Sequence, residues 1–131
     1  MIPASQATRE VRVVTVDDQP VFREAARALI ERTPCFALVG EADEGVAALE
    51  LVRQADPDLV LIDVRLPGLD GIEVSRRLSS EDPGRVIVLV SSTDTRELSM
   101  LARSCGAAAL LRKHWLTPRL LRGLWVAHRR R

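Results

Sequence analysis

Residues 56–71 read DPDLVLIDVRLPGLDG. Within them, Leu59–Asp63 is an almost unbroken apolar run that closes on a carboxylate. So short a run, with no polar alternation, fits a strand buried on both faces of a parallel sheet. Asp70 then stands as an N-cap candidate for a helix that carries Ile72, Ser75 and Leu78 at helical spacing. The stretch therefore predicts a strand, a loop and a helix.

The same unit repeats outward in both directions. Val11–Val16, Phe36–Ala42, Val86–Ser91 and Ala108–Leu111 read as further strands. A helix opens at Pro20 with Phe22, Ala26, Leu29 and Ile30 on one face. A second carries Val46, Leu49 and Val52, with Asp43 as its expected N-cap. A fourth carries Leu98, Leu101 and Cys105 after Thr93-Asp94, and a fifth has Leu116, Leu120 and Leu124 along one side, flanked by Leu121 and Trp125. Gly106 is placed to cap the fourth helix. Five strand–helix pairs in strict alternation predict an α/β fold with a parallel sheet and right-handed crossovers. The expected organisation is a tail over residues 1–10 and one domain over residues 11–131.

Composition narrows the functions open to such a domain. The 131 residues are 47% hydrophobic and 28% charged, with a formal net charge of +1. That balance does not fit a surface built wholly for nucleic acid. There is no Tyr, and Phe22, Phe36, Trp115 and Trp125 are the only aromatics, too few for base-stacking platforms. The core is expected to be aliphatic. Cys35 and Cys105 have no metal-type spacing and read as two buried thiols. No signal-peptide core appears at the start, and no apolar run approaches the roughly 20 residues of a membrane helix. A soluble cytoplasmic domain is the expectation.

Ligands in parallel α/β sheets bind at the carboxyl ends of the strands. Those ends carry Asp17-Asp18, Asp63, Ser91-Ser92 and Lys113. Alone, each has a bland reading: an Asp pair makes a turn, a Ser is structural, a Lys is a solvated charge. Together they place three carboxylates, a hydroxyl and an ammonium on one rim. Crowded carboxylates repel, so one should have a raised pKa unless a cation is near. Mg²⁺ meets that need with oxygen ligands, and Lys113 and Ser91 can meet phosphate oxygens. Phosphoryl transfer needs mainly positioning and charge neutralisation, and a carboxylate can accept the group. Asp63, central among the strands, is the best acceptor candidate.

At these residues the sequence resembles the receiver domain of two-component response regulators, from Val11 to about His128. The resemblance is carried by Val16-Asp17-Asp18-Gln19-Pro20, by residues 56–71, by Val88–Ser92, and by Gly106-Ala107 leading to Lys113. It implies a flavodoxin-like five-stranded sheet of order 2-1-3-4-5 with five helices on both faces. It further implies that Asp63 accepts a phosphoryl group from a sensor histidine kinase or phosphotransfer protein. Asp17, Asp18, Asp63 and the backbone carbonyl of Arg65 would hold Mg²⁺. Ser91, Ser92 and Lys113 would form the switch and phosphate-binding group, and Pro67-Gly68 would shape the loop beside the acceptor. Leu110, Trp115 and Trp125 would lie on an output surface in the last helix–strand–helix region, a possible homodimer face.

Two positions depart from the family pattern. Leu110 stands where an aromatic switch residue is common, and His114 stands where Pro often follows the Lys in a cis bond. A non-proline there is familiar in receivers of the NarL/FixJ type, whose members continue into a helix-turn-helix DNA-binding domain. The sequence ends at Arg131, so the expectation is a receiver without that domain, itself binding neither nucleic acid nor membrane. The alternatives are a receiver fragment of a DNA-binding regulator and a small Mg²⁺-dependent phosphohydrolase. Against the phosphohydrolase, Arg65 occupies the place where its second Asp is required. The arginines at 119, 122 and 129–131 read as a solvated helix face favoured by the helix C-terminus.

Overall fold

The computed structural model of the chain describes residues 9–93 and 96–129, with the backbone alone at Glu97. Most of the expected tail and the expected helix start at Asp94 lie outside the described residues. Five strands form one parallel sheet: β1 (Val11–Val16), β2 (Phe36–Ala42), β3 (Leu59–Asp63), β4 (Val86–Ser91) and β5 (Ala109–Arg112). Their order is β2-β1-β3-β4-β5. The helices are α1 (Pro20–Glu31), α2 (Gly45–Ala55), α3 (Gly71–Glu81), α4 (Ser99–Ser104) and α5 (Pro118–His128).

Two aliphatic layers hold the sandwich together. On one face Val13, Leu59, Leu61 and Val88 pack with Leu29 and Ile30 of α1 and Leu121 of α5. On the other, Val14, Val16, Ile62 and Leu89 pack with Leu49, Val52, Val74, Leu78 and Ala102 of α2, α3 and α4. Every residue of β3 and β4 is buried, which is why both read as continuous apolar runs. From β1 the chain builds toward β2 on one side and toward β3, β4 and β5 on the other. That reversal opens a crevice at the carboxyl ends of β1 and β3.

Helix starts aim the side chains near that crevice. Pro20 supplies the first-turn φ of α1, and the Gln19 carbonyl accepts from the Phe22 and Arg23 amides at 3.1 Å each. This sets Phe22 in the first turn, beside the strand ends. Asp70 caps α3 as expected, Oδ1 accepting from the Glu73 amide at 2.9 Å. Thr117 caps α5, Oγ1 accepting from the Leu120 amide at 3.1 Å.

Several expectations need correction. The N-cap of α2 is Glu44, not Asp43. The regular part of α4 is six residues preceded by a 3₁₀ turn, Arg96–Leu98, and Leu101 is 49% exposed rather than packed. In α5 the fully buried anchor is Leu121, with Leu120 and Leu124 at its margins and Leu116 before the helix. β5 runs one residue later than its apolar run. Ala108 bonds back to Ile87 from outside the strand, and an edge strand tolerates the charged Arg112. Cys35 is exposed at φ 67°, while Cys105 is buried as read. Gly106 has φ 83°, as a cap beyond α4 requires.

Candidate functional site

The crevice between β1 and β3 gathers most of the rim residues. Oxygens of Asp17, Asp18 and Asp63 all lie within 4.8 Å of one another. Asp17 and Asp63 are buried, and Asp18 is exposed. Lys113, the residue after β5, reaches over the strand ends. Its Nζ lies 2.6 Å from Asp17 Oδ2 and 3.1 Å from Asp63 Oδ2, with only 6% of the side chain exposed. Lys113 is the chain's only lysine.

Backbone amides fix the two buried carboxylates from the other side. Asp63 Oδ1 accepts from the Arg65 amide at 3.0 Å, and Asp17 Oδ1 accepts from the Gln19 amide at 2.9 Å. Each thus offers one oxygen to a peptide N–H and the other to the same ammonium. Arg23 donates to the Asp17 carbonyl at 2.7 Å, tying α1 to the end of β1.

Burial raises the pKa of Asp63, against the opposing pull of the Arg65 amide and Lys113. Repulsion from Asp17 adds the least. One carboxylate is raised, as expected, but mainly by desolvation rather than by crowding.

The remaining residues sit as follows. Ser91 is buried at the end of β4, with its hydroxyl 3.2 Å from Thr93 Oγ1 and accepting from the Thr93 amide at 3.2 Å. Ser92 is exposed. Gly68 has φ 72°, which a glycine adopts freely, and so lets the loop after β3 turn. The Lys113–His114 peptide is trans. Leu110 is partly buried against the core on the α2–α4 side. The two tryptophans do not share one surface. Trp115 is 50% exposed beside the site, its ring 6.0 Å from the Arg112 guanidinium. Trp125 packs on the α1–α5 side and lines a hollow with Val11 and Phe36, at the opposite end of the strands.

Two residues beside Asp63 and Lys113 escaped sequence reasoning. Phe22 puts its ring under Lys113, 3.8 Å from Nζ to the ring centroid. Its helical spacing had marked it only as an apolar position. Gly71, the first residue of α3, has no space for a Cβ: one built there would overlap the Asp63 carbonyl oxygen and come within 2.9 Å of Val64 Cα.

The donor set is all oxygen, as a hard divalent cation prefers, and the carboxylates are close enough to share one. The arrangement can hold such a cation, neutralise a phosphoryl group and present a buried carboxylate to it.

Comparison with known proteins agrees with this fold. Residues 13–124 match the family described as response regulator receiver domain. The transcriptional regulatory protein NarL of Mycobacterium tuberculosis is 39% identical over 104 residues, covering 79% of this chain and 48% of that protein. A protein-glutamate methylesterase/protein-glutamine glutaminase of Myxococcus xanthus is 37% identical over 105 residues, covering 79% of this chain and 30% of the enzyme. The solved signal receiver domain of Mycobacterium tuberculosis NarL superposes with a TM-score of 0.83 at 35% identity, covering 94% of this chain and 99% of that one. The chain thus spans about half the length of the NarL relative and less of the methylesterase.

Proposed function

Because this chain belongs to the receiver domains of two-component response regulators, we propose that Asp63 is its phosphoryl acceptor. A receiver is a signalling module, and the fold described above is that of the family. The reading of the site rests on one observation: a buried carboxylate at the end of β3, paired with an ammonium and flanked by two further carboxylates. An Asp63 oxygen attacks phosphorus, the bond from phosphorus to the donor's nitrogen or oxygen breaks, and an acyl phosphate forms. The donor is a phosphohistidine on a kinase or phosphotransfer protein, or a small acyl phosphate. Asp17, Asp18, Asp63 and the Arg65 carbonyl would hold Mg²⁺, which supplies positive charge to the phosphoryl oxygens when bound. Lys113 meets a phosphoryl oxygen, and the Ser91 hydroxyl turns from Thr93 toward another.

The output is a shift between two states of the surface that follows Ser91 and Lys113. Trp115 lies on it, two residues beyond Lys113. Trp125 belongs to a different face, so a homodimer through the last helix–strand–helix region would involve Trp115 rather than both. The half-length match to NarL favours control of transcription as the purpose of the switch. The methylesterase relative is matched over 30% of its length, so its enzymatic activity is not carried over to this chain.

Intact mass after treatment with acetyl phosphate and Mg²⁺ tests the reading, with one added phosphoryl group expected. No added mass would overturn it. Asp18→Ala separates the metal from the acceptor. Asp18 is the exposed member of the acidic set, so its loss should spare folding and weaken Mg²⁺ binding by about tenfold or more. A magnesium titration unchanged in the variant would remove Asp18 from the ligand set.

A further inference from the structure

We infer that Phe22 is the positioning residue for Lys113. The inference rests on the reading that Lys113 meets the phosphoryl group. Lys113 has three partners: Asp17 at 2.6 Å, Asp63 at 3.1 Å and the Phe22 ring at 3.8 Å. The reaction claims the first two. Asp17 would turn to the metal, and Asp63 becomes the phosphorylated group. The ring is the one partner that neither titrates, binds metal nor reacts.

Lysine needs such a partner. Its ammonium rides on a flexible four-carbon stem, and here that stem starts from a 3₁₀ turn just after the edge strand β5. An aromatic face attracts a cation within about 6 Å of its centroid, most strongly where water is excluded. With 6% of the Lys113 side chain exposed, water is largely excluded. Phe22 itself is fixed from the sequence: Pro20 and the Gln19 carbonyl start α1, and Arg23 ties that first turn to the Asp17 carbonyl. The ring also borders a cavity of about 340 Å³ with Ala25, Ala26, Leu29 and Leu116. Shrinking the side chain therefore widens an existing space and does not hollow out a sealed core.

Because Lys113 is the only lysine, protein grown on ¹³Cε-lysine shows one lysine signal. In the unphosphorylated, metal-free protein, the ring current should shift the Lys113 Hε protons upfield. Phe22→Leu should return them to the ordinary lysine position, and Phe22→Tyr should keep the shift. In labelling by acetyl phosphate with Mg²⁺, Phe22→Leu should lower the maximal rate about tenfold. The half-saturating donor concentration should not change, and Phe22→Tyr should label within about twofold of the parent. In a Lys113→Met background, Phe22→Leu should have no further effect. An ordinary Hε position in the parent protein would overturn the contact. Parent-like labelling by Phe22→Leu, or an equal loss in both backgrounds, would overturn the positioning role. Parent-like labelling by Lys113→Met with the ring-current shift intact would place the failure in the reading of Lys113, not in the contact.

Discussion

Replacing Asp63 with Asn is expected to abolish labelling by acetyl phosphate and Mg²⁺ and, at the same time, to raise the melting temperature in metal-free buffer near neutral pH. Both effects have one cause. The Asp63 carboxylate is buried, and burial raises its pKa despite the Arg65 amide and Lys113. A carboxyl group whose pKa is higher folded than unfolded binds protons more tightly in the folded state. Stability then falls as pH rises through the unfolded and folded values, and the ionised form is the costly one at neutral pH. Asn keeps the shape and loses the charge. The difference between the two proteins should therefore shrink as pH is lowered and both side chains become neutral. Mg²⁺ should narrow it from the other side, by stabilising the parent more than the variant. Two measurements check this: intact mass for the labelling, and thermal melts across pH with and without Mg²⁺. Undiminished labelling would remove Asp63 as acceptor. A variant that melts below the parent at neutral pH in metal-free buffer would contradict the burial argument.

The second large effect is expected from Gly71→Ala, which adds one methyl group. A Cβ at this position would overlap the carbonyl oxygen of Asp63 itself. The conflict is with backbone at the end of a fully buried strand, so no side-chain rotation relieves it. Overpacking of this kind costs about 1–3 kcal/mol, occasionally more. A loss of that size should lower the melting temperature by roughly 4–15 °C. Relief by shifting β3 or α3 would also move the Asp63 carboxylate from Lys113, so the labelling rate should fall as well. Gly123→Ala is the control. It lies within α5 with nothing within 4 Å of a new Cβ, and Ala is the better helix former by about 1 kcal/mol. That variant should melt at or above the parent and label normally. Equal melting temperatures for the two variants would refute the close-approach argument.

The limits of β3 and β4 are readable because a strand covered on both faces leaves a continuous apolar run. Those of β1 and of the edge strand β2 are readable too, although Arg12 and Gly40-Glu41 interrupt their apolar runs. β5 was displaced by one residue because an edge strand can end on Arg112, which no hydropathy pattern includes. α4 was overestimated: Leu98 and Leu101 have helical spacing, yet one falls in a 3₁₀ turn and the other faces outward. The rim carboxylates and Lys113 were legible because the alternation of elements places strand ends together whatever the side chains are. The contact between Phe22 and Lys113 was not, since it joins residues far apart in the chain and neither residue type announces it. Gly71 reads like any glycine at a helix start, and its need for space exists only once α3 has docked on β3.

The burial of Lys113 has a practical consequence. With eighteen arginines and one lysine, a lysine-directed protease has a single peptide bond to attack, Lys113–His114. Its recognition side chain is held between two carboxylates and a ring, so the bond can be cut only while the site is open. Under conditions where reclosing outpaces cleavage, the rate of appearance of fragments 1–113 and 114–131 measures the opening free energy of this one corner of the molecule. Proteolysis would thus weigh the open form of the rim against the closed one while the rest of the sheet stays folded.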